Sequence, residues 1–191
     1  MKSLAVMTIR EDLTAAECER LREIFGKLVQ VNGYTVPRTS AEKIRFEEDL
    51  VLVVGHTKLA KALASRLVEG QAHVIKQRTL DPSYLHRLFH IPANSRVLVV
   101  NDVFPNTLEV IDELRRLRIH PLRYFPYDPD QPFATEYPPA DSPESLAIGD
   151  FTYVLTAGEL ELVPPGPSQV VDIGDRIINM ITVTDILRGL F

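Results

Sequence analysis

Two unbroken apolar runs constrain this chain more than any other feature. Leu50-Val51-Leu52-Val53-Val54 and Val97-Leu98-Val99-Val100 carry no polar residue. A strand with one face in water alternates apolar and polar side chains. A strand that is apolar throughout must be covered on both faces, as in a parallel sheet flanked by helices. Each run stops at polar residues, Gly55-His56-Thr57 and Asn101-Asp102, and each is followed by a helical pattern. After the first, Leu59, Leu63 and Leu67 recur every four residues until Gly70, a residue type that commonly follows a helix. After the second, Pro105 opens a segment in which Leu108, Ile111, Leu114 and Leu117 share one face. Asp112 and Arg116 can pair one turn apart on the other.

Shorter signals fill the rest. Leu4 to Ile9 suits a buried strand. Thr14 and Glu17 form a T-x-x-E capping box, predicting a helix whose inner face is Cys18, Leu21, Ile24, Phe25 and Leu28. Val29 to Val36 reads as a strand weakened by Gly33, and residues 37–48 as a polar connection. Ala72 to Ile75 is a further strand. Asp81-Pro82 starts a helix that buries Tyr84, Leu85, Leu88 and Phe89 and ends at Pro92. Leu122 to Phe125 is a strand. Ten of the fourteen prolines lie between Pro121 and Pro167, and Tyr127 to Ser145 is expected to be a surface loop. Phe151 to Thr156 is a strand ending in Ala157-Gly158. Glu161 to Val163 and Val170 to Ile173 are expected as short strands, and Thr182 with Asp185 as the capping pair of a last helix. This alternation predicts an α/β protein with two Rossmann-like or flavodoxin-like lobes and mostly parallel sheets. The expected lobes are residues 1–80 and 81–181, with 182–191 a closing helix leading to a further domain.

Composition narrows the partners. Apolar residues make up 45% and charged residues 25%, so the chain can build an ordinary core. A net charge of -5 gives no basic footprint, and no direct nucleic-acid contact is expected. The single cysteine, Cys18, excludes a disulfide within the chain and a cysteine-based zinc site. No apolar run approaches the roughly 20 residues of a membrane span. The apolar stretch after Met1 is too short for a signal peptide, so no membrane partner and a cytoplasmic location are expected.

Ligands of open α/β sheets bind beyond the carboxyl ends of the strands. Four such ends are polar, and they supply the candidate ligand-binding residues: Thr8 and Arg10; Gly55, His56, Thr57 and Lys58; Asn101 and Asp102; Thr156 and Gly158. A helix begins after the second and third ends, where free backbone N–H groups favour an anion. Gly55 would allow close backbone approach, Thr57 adds a hydroxyl and Lys58 a charge. The plainer alternative has Thr57 capping its helix and His56 facing water. The expected site is an anion-friendly cleft formed by Gly55-His56-Thr57 and Asn101-Asp102 between the lobes.

Catalytic patterns are weaker. The sequence has no G-x-G-x-x-G, no G-x-x-x-x-G-K-[ST] and no G-x-S-x-G. His86 and His90 are spaced one turn apart, but the intervening residues lack the acid of a zinc-protease helix. Asp102 at a strand end invites comparison with a receiver phosphoacceptor, but the first strand lacks the acidic pair at its end. No catalytic residue, metal site or cofactor is expected.

Three segments carry a family resemblance. They are Val97-Leu98-Val99-Val100-Asn101-Asp102 with Thr107-Leu108-Glu109-Val110-Ile111, then Leu50 through Thr57, then Leu162-Val163-Pro164-Pro165-Gly166 through Val171-Asp172-Ile173-Gly174-Asp175-Arg176. Together they resemble the N-terminal sensory region of bacterial sigma-54-dependent transcriptional activators, related to the receptor domain of the propionate catabolism activator. The resemblance implies a regulatory receptor for a small-molecule effector, working as a homodimer, with PAS, AAA+ and helix-turn-helix domains downstream. It transfers neither the family's effector nor its binding residues. Two other readings compete with it. One is a small enzyme acting on a phosphorylated or carboxylate metabolite, with Asp102 and His56 as its acid/base pair. The other is a dimerisation module without a ligand.

Overall fold

A computed structural model describes residues 1–139 and 141–191. The chain divides into two compact units, residues 1–78 with 178–191, and residues 79–177.

The first unit is built on strands β1 (Lys2–Thr8), β2 (Val29–Thr35), β3 (Leu50–Val53) and β4 (His73–Ile75). They form one parallel sheet in the order β2-β1-β3-β4. Helix α1 (Glu11–Phe25) joins β1 to β2, and α2 (Thr57–Leu67) joins β3 to β4. Alternate residues of the apolar strands enter opposite layers. Leu4, Val6, Leu50 and Leu52 meet Cys18, Leu21 and Phe25 of α1. Ala5, Met7, Val51 and Val53 meet Ala60, Leu63, Ala64 and Leu67 of α2. Gly33 lets α1 lie close on β2: a Cβ there would come within 2.6 Å of Thr14 Cγ2 and 2.9 Å of Cys18 Sγ.

The chain leaves the first unit through β5 (Arg78–Thr79). The second unit holds β6 (Arg96–Val100), α3 (Phe104–Leu117), β7 (Arg123–Pro126), β8 (Phe133–Thr135), β9 (Ser145–Ala147), β10 (Tyr153–Thr156) and β11 (Gln169–Asp172). Its main sheet is also parallel, in the order β11-β10-β6-β7. Val97, Val99 and Leu155 pack under α3 and under a 3-10 segment, Pro82–His90. The opposite face, Leu98, Val100, Phe125 and Val154, is covered by Ala134, Leu146, Ile148 and Phe151. The chain returns through β12 (Ile177–Ile178) and ends in α4 (Met180–Leu190).

Several sequence expectations are corrected. The return falls at Ile178, and α4 belongs to the first unit: Ile186 and Leu190 are buried in the core beneath α1. This helix starts two residues earlier than Thr182 because Asn179 caps it, accepting the Ile181 N–H at 2.6 Å. Thr182 is buried instead, its hydroxyl accepting the Gln77 N–H at 2.9 Å. Helix α1 likewise starts before the Thr14/Glu17 pair, since Glu11 and Asp12 suit the positive end of its dipole. Its core-facing side is narrower than expected, with Ile24 exposed, and Leu28 is exposed beyond the helix end. The Asp81-Pro82 segment is a 3-10 helix burying only Leu88 fully, and Phe89 is exposed. Residues 160–162 form a 3-10 turn, not a strand. The expected loop Tyr127 to Ser145 contains β8, which pairs antiparallel with β9.

Glu17 has a different role from capping. It is buried in α1, and its Oε1 pairs at 2.5 Å with Nζ of buried Lys76, just past β4. Burial pushes the Lys76 ammonium below its usual range, with Glu17 opposing the shift.

Candidate functional site

Both sheets place two central strands side by side whose connections run in opposite directions. In the first unit β1 leads through α1 to one edge, and β3 through α2 to the other. In the second, β6 leads through α3 to β7, while β10 neighbours β11 on the other side. The carboxyl ends of β1/β3 and of β6/β10 are therefore topological switch points, the positions at which α/β sheets in general hold ligands. The ten candidate residues fall at these two places. Those of the first unit are Thr8, Arg10, Gly55, His56, Thr57 and Lys58; those of the second are Asn101, Asp102, Thr156 and Gly158.

At the first switch point, Thr8 holds the turn together. It is fully buried, and its hydroxyl donates to the Arg10 carbonyl at 2.7 Å and accepts the Arg10 N–H at 3.0 Å. It also lies 2.6 Å from Thr14 Oγ1, which lies 2.8 Å from Thr35 Oγ1. Arg10 is exposed and its guanidinium grips Asp12, with Nε 3.1 Å from Oδ1. That hydrogen bond holds the Asp12 carboxyl below its usual range. With Glu11 and Asp12 in its first turn, α1 does not offer an anion site. Helix α2 differs: its first turn holds no acid and carries the exposed Lys58, so its amino-terminal end is electrostatically positive. The cap of α2 is His56, not Thr57, with Nδ1 accepting the Leu59 N–H at 3.3 Å. Gly55 is not forced by crowding, because a Cβ there would meet only ordinary contacts, the nearest Leu59 Cδ2 at 3.6 Å.

At the second switch point carboxylates dominate. Asn101 Oδ1 accepts the Asp102 N–H at 2.8 Å, and Asp102 Oδ1 accepts the Val103 N–H at 2.9 Å and an Asn106 amide N–H at 2.5 Å. Thr156 is fully buried and its hydroxyl accepts the Glu159 N–H at 3.1 Å. Gly158 has φ +86°, and its N–H donates to Asp172 Oδ1 at 2.9 Å. A Cβ on Gly158 would lie 1.9 Å from Asp175 Oδ1, so glycine is required twice over, by backbone and by space. Burial pushes the Glu159 carboxyl above its usual range, and the nearby charges of Asp102, Glu161 and Asp175 add to the shift. The setting of Asn101-Asp102 is thus acidic rather than simply anion-friendly.

Sequence reasoning missed the cation at this edge. Arg176 is 8% exposed and its Nη2 donates to Glu109 Oε2 of α3 at 3.1 Å. Its Nε and Nη1 are buried and find no partner among the described residues. The signal was available: an arginine directly after Asp-Ile-Gly-Asp, just past a strand. Cys18 is buried, and burial pushes its thiol up, the state of an unreactive cysteine. Among the described residues no group of three or more His, Cys, Asp and Glu side chains is placed to hold a metal ion. Among them, too, no helix is long and apolar enough to cross a membrane.

Comparisons with protein-family models, with curated proteins and with solved structures return no match to this chain.

Proposed function

We propose that this chain is the small-molecule-sensing domain of a sigma-54-dependent transcriptional regulator, with a small anionic metabolite as its effector. The observation that carries the reading is the shared strand order of the two units. Each has a switch point lined by polar strand ends, the place where sheets of this kind hold ligands. The α2 amino terminus with Lys58 supplies positive potential in the first unit, and Arg176 supplies a buried cation in the second. The three segments resembling the sensory region of such activators give the regulatory role. An effector that prefers one conformation shifts the population toward it, and α4 is the element through which that shift would reach the PAS, AAA+ and helix-turn-helix domains of a dimeric regulator.

The test is a thermal-shift screen of the 191-residue chain against small carboxylates and phosphorylated metabolites. A ligand at 100-fold over its Kd stabilises the fold by about 2.7 kcal/mol. A screen in which no anion raises the melting temperature overturns the proposal.

A further inference from the structure

We infer that the second unit contains a carboxylate subsite built on Arg176, and that its ligand is a small amino- or hydroxycarboxylic acid. The inference rests on the sensing role proposed above and names the chemistry of the effector.

Arg176 is more than nine-tenths buried, yet two of its three nitrogens have no partner among the described residues. Buried donors on a charged group are ordinarily satisfied, because leaving them unmet forfeits their hydration without return. Its place in the fold is fixed from two sides. Asp175, the residue before it, lies against Gly158 just past β10. Glu109, its ion-pair partner, stands on α3, which follows β6. The guanidinium is therefore held at the β6/β10 switch point, where the fold itself predicts a ligand. Arginine is suited to this task, since its planar donors meet a carboxylate in charge-assisted hydrogen bonds.

The surrounding charge selects among anions. The charges of Asp102 and Asp175 both reach Glu159 at the same edge, and Asp102 and Asp175 are exposed there. A phosphate dianion would add two charges to that set. A single carboxylate adds one, and a neighbouring ammonium or hydroxyl on the same ligand would donate to these acceptors. An acid bearing such a donor satisfies both halves of the site.

The experiment titrates the 191-residue chain by calorimetry and thermal shift. The probes are glycine, serine, aspartate, lactate, malate, propionate and inorganic phosphate. At least one amino or hydroxy acid is expected to bind, and propionate and phosphate are expected to bind more weakly. Arg176→Gln is expected to weaken that acid about tenfold or more. Glu159→Gln is expected to weaken it less and to leave propionate unchanged. Binding of the acid that survives Arg176→Gln overturns the subsite while leaving a sensing role intact. Preferred binding of phosphate overturns the ligand class. A wild-type chain that binds no probe overturns the subsite and its ligand class, and the sensing role then stands or falls on the wider anion screen. Circular dichroism checks the fold of each variant. If Arg176→Gln does not fold, Arg176→Lys and Glu159→Gln decide, and unchanged affinity in both is the refuting result.

Discussion

The two units share one strand order but clothe and charge it differently. In each, the first strand is central, a helix carries the chain to one edge, and the third and fourth strands extend the other side. The first unit covers the face opposite α1 with α2, using Ala60, Leu63 and Leu67. The second covers the corresponding face with β8, β9 and short irregular segments, using Ala134, Leu146, Ile148 and Phe151. At the carboxyl edge the first unit shows a helix start free of acids beside Lys58, and the second gathers carboxylates around one buried arginine. The same strand order therefore carries very different coverings. The chemistry at the edge is set by a few polar residues and diverges freely.

The largest expected effect probes a feature that the second unit lacks among its described residues, an ion pair buried on both sides. Lys76→Met leaves Glu17 buried with Arg20 at 3.7 Å as its remaining cation. Breaking a buried pair this way costs about 3–5 kcal/mol, read from urea denaturation. A loss below about 1 kcal/mol would show that the pair is solvated and that the contrast between the units is smaller than drawn.

The second prediction compares the coverings. Phe125 is fully buried and meets Phe151 edge-on, with ring centroids 5.2 Å apart. Phe125→Ala is expected to cost about 3–5 kcal/mol and Leu63→Ala about 2–5 kcal/mol. Similar losses would establish that irregular segments cover a sheet as firmly as a helix. A small loss for Phe125→Ala alone would mark the hairpin side as loosely attached.

What the sequence disclosed follows the same division. The strands β3 and β6 and their helices were legible because continuous apolar runs and four-residue spacing admit few readings. The hairpin was not, because Phe133-Ala134-Thr135 is too short to show alternation and is bounded by prolines. The Thr14/Glu17 pair misled because a capping box is a local pattern, while Glu17 answers to Lys76, 59 residues away. The strand ends were located from sequence, but their partners were not. Nothing local shows that Thr8 is consumed by Thr14 and Arg10, or that Arg176 reaches Glu109.

The third prediction sets the strand-end glycines against each other. Gly158→Ala must place a side chain at φ +86° and displace Asp175, so a loss well above about 1 kcal/mol is expected. Gly55→Ala meets only ordinary contacts, and its stability should stay within about 1 kcal/mol of the parent. Chemical denaturation of both variants checks this. Equal losses would mean that the two switch points constrain their backbones alike.

The smallest effect concerns pH, and here the units should respond with opposite sign. Glu159 has its pKa raised in the fold, by burial first and then by Asp102, Glu161 and Asp175. The folded state therefore holds that proton more tightly than the unfolded chain. Its contribution is fully present below the ordinary value of 4.5 and is lost as pH rises through the raised one. Asp12 and Asp49 of the first unit are lowered from 3.8, by hydrogen bonds from Arg10 and from Ser3 respectively. Their contribution is present above 3.8 and is lost as pH falls through the lowered values. Both aspartates are exposed, so the acid-side slope is shallow and salt-sensitive. Thermal melts at closely spaced pH values should show stability declining just above pH 4.5 in the parent, with that component removed by Glu159→Gln. An unchanged profile in the variant would mean that Glu159 titrates as an ordinary surface carboxylate, and the acidic character assigned to the second edge would lose its main support.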